Sequence, residues 1–272
     1  MPYANIHGTE LFYDEQGSGE AILFHHGYTG SHDSWEDVVP RLKDRYRCVV
    51  MDARGAGDSS HPADGYTIEQ YAADVVGMAD NLELDRFTYV GHSMGGVIGM
   101  ELGLRHPDRL NKLVLVAPAP ADGIATPPEM HERAARLRRE NARNTMIEER
   151  LATTARVHDP EQIVRAVDRA LSVSDGHFEE SWQSMVDYRR GDQLANLEVP
   201  TLVIAGAADG LLTANLKDFQ RLPNATLHVF SRVSHGVPRE VSAEFAEVIG
   251  DFMEHGVVTA KALMDALQSP TR

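Results

Sequence analysis

Positions 87–97 read FTYVGHSMGGV, which places the motif G-x-S-x-G directly behind an apolar run. The apolar part is typical of a buried strand, and the residues after the motif are typical of a helix. A sharp turn between the two would expose the Ser93 hydroxyl at the helix start, where the Met94 N–H can face an oxyanion. A glycine-rich turn with Ser93 as the helix N-cap is the competing interpretation. The strand-to-helix setting favours a nucleophilic serine.

A serine hydroxyl is a weak nucleophile, so it needs a base, and the base needs an acid that orients it. Asp209 lies in the loop that follows an apolar run at 201–205, and His235 follows the run that ends at Phe230. The carboxyl ends of parallel strands meet at one edge of a sheet, so both side chains are expected beside Ser93. Alone, Asp209 resembles a turn residue and His235 one loop histidine among 13. The chain order Ser, Asp, His favours a catalytic triad.

A second backbone donor for an oxyanion is expected in the segment His25-His26-Gly27-Tyr28, which ends the strand predicted at 21–25. The Tyr28 N–H is placed to supply it. The two histidines could suggest a metal site, but adjacent strand residues point to opposite faces and no H-E-x-x-H pattern accompanies them. We therefore predict no metal and expect His26 to brace the loop by hydrogen bonds.

The rest of the chain alternates short apolar runs with amphipathic stretches, which predicts an α/β fold. Further strands are predicted at 11–13, 47–52, 113–117 and 227–230, and helices at 67–82, 97–106 and 245–255. Between 118 and 196 the pattern becomes helical, with 129–155 mostly so. We predict a core of residues 1–120 and 196–272 and a helical lid at 121–195, because this connection is far longer than ordinary loops. The alternative is that these helices merely cover one face of the sheet.

The composition of the chain restricts its cellular location and the classes of molecule that it can bind. The 272 residues carry a net charge of −15, which disfavours nucleic acids and anionic membrane surfaces as partners. The single cysteine, Cys48, excludes an intrachain disulfide, and the N-terminus lacks the pattern of a signal peptide. These features predict a cytoplasmic protein. No phosphate-binding glycine loop is present, so no cofactor is predicted.

The segments HHGYTGSHDSW, MDARGAGDS, GHSMGG, AGAADG and VSHG resemble the α/β-hydrolase superfamily, in its bacterial esterase, lactonase and C–C-hydrolase branch. The resemblance extends over about residues 10–121 and 196–255. It implies an eight-stranded, mostly parallel sheet with flanking helices and an inserted helical lid. It also implies a Ser93–His235–Asp209 triad with Tyr28 and Met94 as oxyanion-hole donors. The chain departs from many relatives at Ser234, where they carry Gly, and at Thr213, where they carry Pro.

The resemblance implies hydrolysis of a carboxylic ester or lactone of a small hydrophobic molecule. A serine at position 93 argues against the dehalogenase and epoxide-hydrolase branches, which use Asp there. Three alternatives stay open: a C–C hydrolase of the meta-cleavage type, a cofactor-free perhydrolase or haloperoxidase-like enzyme, and a non-catalytic ligand receptor on the same fold.

Substrate contacts are expected from apolar residues of the lid and of the loop after the oxyanion segment: Trp35, Met130, Met146, Trp182, Met185 and Tyr188. Between His131 and Arg156 the chain carries seven arginines against four glutamates. A solvated, ion-paired helix accounts for this pattern, and the alternative is that one or two arginines bind a substrate carboxylate. The tail after Gly256 predicts an extra helix, which would pack on the core or form a homodimer; its apolar positions are Ala262, Leu263, Met264 and Leu267.

Overall fold

A computed structural model describes residues 3–156, 158–260 and 263–264 of the chain. The predicted tail helix includes Ala262 and Leu267, which lie outside the described residues. The strands are β1 (Tyr3–Ile6), β2 (Thr9–Gln16), β3 (Ala21–His25), β4 (Arg47–Met51), β5 (Phe87–His92), β6 (Leu110–Val116), β7 (Thr201–Gly206) and β8 (Ala225–Phe230). The helices are α1 (Val39–Leu42), α2 (Ile68–Asn81), α3 (Met94–Arg105), α4 (Pro128–Arg139), α5 (Arg143–Thr153), α6 (Pro160–Ser172), α7 (Asp175–Asp187), α8 (Leu212–Arg221), α9 (Val237–Glu240) and α10 (Ser242–His255).

The strands form one sheet in the order β1-β2-β4-β3-β5-β6-β7-β8. The pairs β1–β2 and β2–β4 are antiparallel, and the other pairs are parallel. The predicted eight-stranded, mostly parallel sheet is therefore confirmed. Because β5, β7 and β8 run in the same direction, the loops after them open at the same edge.

Both faces of the sheet are covered, as expected for parallel strands with helical crossovers. In β3, Ile22 and Phe24 pack on one face with α10, whereas Leu23 packs on the other with α2 and α3. The two faces alternate because successive strand side chains point in opposite directions. Helix α2 begins where the sequence indicated, since the Thr67 hydroxyl caps the N–H of Gln70 at 3.2 Å.

Four helices, α4 to α7, connect β6 to β7 and lie inside the range predicted for the lid. The described part of this connection contains no strand. The boundaries of the lid as a domain stay a prediction. None of the helices in the described ranges combines the length and the apolar character that crossing a membrane requires.

A buried ion pair ties the loop after β4 to α2. The Arg54 guanidinium donates to both oxygens of Asp74 at 2.6 and 2.7 Å, and both side chains are almost fully buried. Bidentate geometry of this kind compensates part of the desolvation of the two charges. The Arg54 side chain is thus held in place and has a structural role.

Removing one member of that pair should destabilise the fold strongly. We expect Asp74→Ala to lower the free energy of unfolding by about 3–5 kcal/mol, because the Arg54 charge stays buried without its partner. The matched control is Asp80→Ala on the same helix, whose carboxylate is 63% exposed and pairs with Arg109. That variant should change stability by less than about 1 kcal/mol. Urea unfolding would measure both, and equal losses would contradict the assignment.

Candidate active site

Ser93 occupies a strained turn between β5 and α3. Its backbone has φ +55° and ψ −110°, a conformation that L residues rarely adopt. The turn closes only because two glycines flank it. A Cβ at Gly91 would lie 2.0 Å from the carbonyl oxygen of Gly95, and one at Gly95 would lie 2.5 Å from that of His25. Helix α3 starts at Met94, three residues earlier than predicted, because it follows the turn without a spacer.

The three residues of the predicted triad lie within hydrogen-bond distance of one another. The Ser93 Oγ is 2.9 Å from His235 Nε2, and His235 Nδ1 is 2.8 Å from Asp209 Oδ2. The other Asp209 oxygen accepts the Leu211 N–H at 3.0 Å. Burial opposes ionisation of Asp209, but its hydrogen bond with His235 and that ring's charge lower the pKa of the carboxyl below its ordinary value. The ionised carboxylate can thus hold His235 as the tautomer that accepts the serine proton.

His92 holds the backbone of His235. Its Nε2 lies 2.8 Å from the backbone carbonyl oxygen of His235 and must donate to it. Burial lowers the pKa of His92 to about 3, so the ring is neutral at physiological pH. The sequence contained this residue inside the motif but gave no signal for its role.

Two backbone N–H groups belong to segments next to Ser93. A Cβ at Gly27 would lie 3.0 Å from the Ser93 Cβ, so the loop after β3 runs directly against the nucleophile. Within the described part of the chain, the N–H groups of Tyr28 and Met94 have no hydrogen-bond acceptor. Unpaired donors beside Ser93 fit the predicted oxyanion hole, which stays a prediction.

The paired histidines have structural contacts. His26 Nδ1 donates to the Gly27 carbonyl oxygen at 2.8 Å, and its Nε2 accepts the Ala53 N–H at 3.0 Å, as expected for a loop brace. Burial lowers the pKa of His26 to about 3 and that of His25 to about 4. The expectation that the two rings point apart was wrong: they stack with centroids 5.1 Å apart, because β3 ends at His25.

A cavity of about 840 Å³ opens above Ser93 and His235. Of the six predicted substrate contacts, Met130, Trp182 and Met185 line it. Helix α7 is anchored to the loop after β3 beside this cavity. The Tyr28 hydroxyl donates to the Phe178 carbonyl oxygen at 2.5 Å, and its ring packs against Trp182 with centroids 5.6 Å apart.

The other three predicted contacts do not line this cavity. Trp35 is 1% exposed and packs between Phe24 and Phe245, so it belongs to the core. The Tyr188 hydroxyl donates to Glu101 at 2.9 Å, which holds its ring in the interior. Met146 lies on α5 outside the cavity wall. Apolar side chains on a lid are as often packing residues as ligand contacts, and the sequence could not separate the two.

Glu240 connects the segment before His235 to the connection between β6 and β7, a contact that the sequence did not indicate. Its carboxylate, on a residue 1% exposed, accepts the N–H and the hydroxyl of Ser234, directly before His235. It also accepts the Arg156 N–H of the lid at 3.0 Å. Position 234 is Ser here, whereas many relatives carry Gly. The Ser234 hydroxyl therefore adds a hydrogen-bond donor to the groups around Glu240.

Comparison with known proteins places these features in a family. A family model described as the alpha/beta hydrolase fold matches residues 20–238. The solved structure of Est816, described as an N-acyl homoserine lactone degrading enzyme, is 28% identical, with a TM-score of 0.80 over 92% of this chain and 100% of that one. The enol-lactonase from Burkholderia xenovorans LB400 is 26% identical, with a TM-score of 0.83 over 93% and 100%. A putative non-heme chloroperoxidase from Synechocystis is 28% identical over 93% of this chain and 98% of its own.

The Glu240 cluster should control how well His235 is held. We expect Glu240→Ala to slow covalent labelling of Ser93 by a fluorophosphonate about tenfold, because the buried Ser234 and Arg156 N–H groups lose their acceptor and the loop shifts. Glu240→Gln keeps an acceptor oxygen and should recover part of the rate.

The control is Glu247→Ala, on an exposed position of α10. It should label at the rate of the unmodified protein. An unchanged labelling rate in Glu240→Ala would show that the cluster does not position the base.

Proposed function

The chain belongs to the α/β-hydrolase fold family, and we propose that it is a serine hydrolase that cleaves a carboxylic ester or lactone of a small hydrophobic molecule. The observation that carries the proposal is the unbroken hydrogen-bonded series from the Ser93 hydroxyl through His235 to Asp209. Its position in a cavity of about 840 Å³ gives a small organic substrate access to the nucleophile.

The acylation step follows from the geometry. The Ser93 Oγ attacks the substrate carbonyl carbon while His235 Nε2 takes the hydroxyl proton. Negative charge then develops on the carbonyl oxygen, which the N–H groups of Tyr28 and Met94 stabilise. His235 returns the proton to the leaving oxygen as the C–O bond breaks, and Asp209 stabilises the imidazolium between these transfers.

Deacylation uses the same groups in reverse. A water molecule in the position of the departed alcohol gives a proton to His235 as its oxygen attacks the acyl carbon. The tetrahedral intermediate collapses, Ser93 regains its proton from His235, and the carboxylic acid leaves. With a lactone the alcohol stays attached to the acyl group, so one ring-opened hydroxy acid is released.

The relatives support this reaction class. One relative is named as an enzyme that degrades an N-acyl homoserine lactone, and the other is named as an enol-lactonase. The matches cover 92% and 93% of this chain and the full length of both relatives.

A second candidate is a cofactor-free perhydrolase, which the chloroperoxidase relative favours. In that reaction hydrogen peroxide replaces water in deacylation and forms a peracid, which then oxidises halide outside the site. Bromination of monochlorodimedone that requires both acetate and peroxide would identify this activity.

Loss of the nucleophile should abolish turnover without unfolding the chain. We expect Ser93→Ala to lower kcat/KM for p-nitrophenyl acetate by about four orders of magnitude, since His235 then has no hydroxyl to activate. The far-ultraviolet circular dichroism spectrum should not change.

The matched control is Ser18→Ala in the exposed turn after β2, which should keep full activity. Esterase activity that persists in purified Ser93→Ala would refute the proposed mechanism.

A further inference from the structure

Three arginines line the cavity wall without a carboxylate partner among the described residues. One of them, Arg156, donates from its guanidinium to the Ser231 carbonyl oxygen at 3.3 Å. Arg150 comes from α5 of the lid and Arg239 from α9 of the core, and both line the cavity that contains Ser93. Arg239 donates to the Ser34 hydroxyl at 3.0 Å. Among the residues that the structure describes, neither guanidinium forms an ion pair. Most other lid arginines differ in this respect; Arg143, for example, pairs with Asp168.

The carboxylates on the same wall are hydrogen-bonded to groups other than the Arg150 and Arg239 side chains. Asp209 bonds His235, and Glu240 bonds Ser234 and the Arg156 backbone. Asp159 caps α6 by accepting the N–H of the residue two positions later at 2.9 Å. Three carboxylates therefore face the cavity without neutralising either arginine.

The remaining acidic groups near Arg239 are also paired. Asp33 accepts from Arg169 at 2.7 Å and Glu36 from Arg165 at 2.5 Å. Burial lowers the pKa of Arg239 to about 10, and the charge of Arg150 acts in the same direction. Both guanidinium groups remain protonated at neutral pH, so two like charges influence each other across the cavity.

We propose that the substrate carries a carboxylate that binds between Arg150 and Arg239, which makes the preferred substrate an acidic ester or lactone. This inference rests on the proposed function, since the acyl carbon must reach Ser93. A carboxylate satisfies guanidinium donors in charge and geometry, and here it would bridge the lid to the core.

The rest of the wall suits an aliphatic connection between the two ends of such a molecule. Met130, Ile163, Trp182 and Met185 line the same cavity. A half-ester of a dicarboxylic acid therefore places its chain on apolar side chains, its carboxylate at the arginines and its ester at Ser93.

The test compares two esters that differ only in the terminal carboxylate: p-nitrophenyl hydrogen pimelate and p-nitrophenyl heptanoate. We expect kcat/KM to favour the acidic ester by about tenfold or more at low ionic strength. Arg150→Met and Arg239→Met should each lower this ratio about tenfold, whereas Arg150→Lys and Arg239→Lys should retain part of it.

The matched control is Arg136→Met on the exposed surface of α4, outside the cavity, which should keep the ratio. If the unmodified enzyme hydrolyses both esters equally, or if the ratio survives in both Met variants, the inference is refuted while the proposed hydrolase function stands.

A binding measurement separates the two proposals when no ester is turned over. Calorimetric titration of Ser93→Ala with pimelate should give binding that weakens about tenfold when either arginine becomes Met. The uncharged analogue 1,7-heptanediol should bind at least tenfold more weakly than pimelate. Such results support the carboxylate site even if hydrolysis fails, and equal binding of pimelate and the diol refutes it.

Discussion

The backbone of Ser93 is the constraint on which the site depends. A positive φ at a non-glycine residue costs free energy, so the surroundings must impose it. Here β5 and α3 impose it by converging within a distance that only Gly91 and Gly95 permit. The loop after β3 also approaches closely, since a Cβ at Gly27 would lie 3.0 Å from the Ser93 Cβ. The strained turn and the loop that carries Tyr28 are thus parts of a single packing arrangement.

The catalytic histidine is held by a separate set of contacts. His92 fixes its carbonyl oxygen, Asp209 fixes its ring, and Glu240 fixes the preceding Ser234. Glu240 also accepts the backbone N–H of Arg156, in the connection between β6 and β7. From the loop after β3, the Tyr28 hydroxyl donates to the Phe178 carbonyl oxygen in the same connection. This connection is therefore hydrogen-bonded to residues near both sides of Ser93.

Sequence reasoning was most successful where the chemistry is local. The motif around Ser93, the cap at Thr67 and the buried strands follow from short-range patterns, and the structure contains them. The strand Tyr3–Ile6 was missed, since four residues on a sheet edge give little periodicity. Roles that depend on distant partners were also missed: nothing near Glu240 in the sequence reveals that it meets residue 156. Trp35 was misplaced because an aromatic beside a catalytic loop packs equally well into the core.

The buried histidines make the stability of the fold depend on pH. Burial lowers the pKa of His26, His92 and His177 to about 3 and that of His25 to about 4. In the unfolded chain these rings titrate near their ordinary value of about 6.5. Between these values the unfolded chain binds protons that the folded chain does not, so each step toward acid shifts the equilibrium to unfolding. Acidification therefore weakens the loop after β3 and the turn at Ser93 together, because both contain histidine rings whose pKa burial lowers.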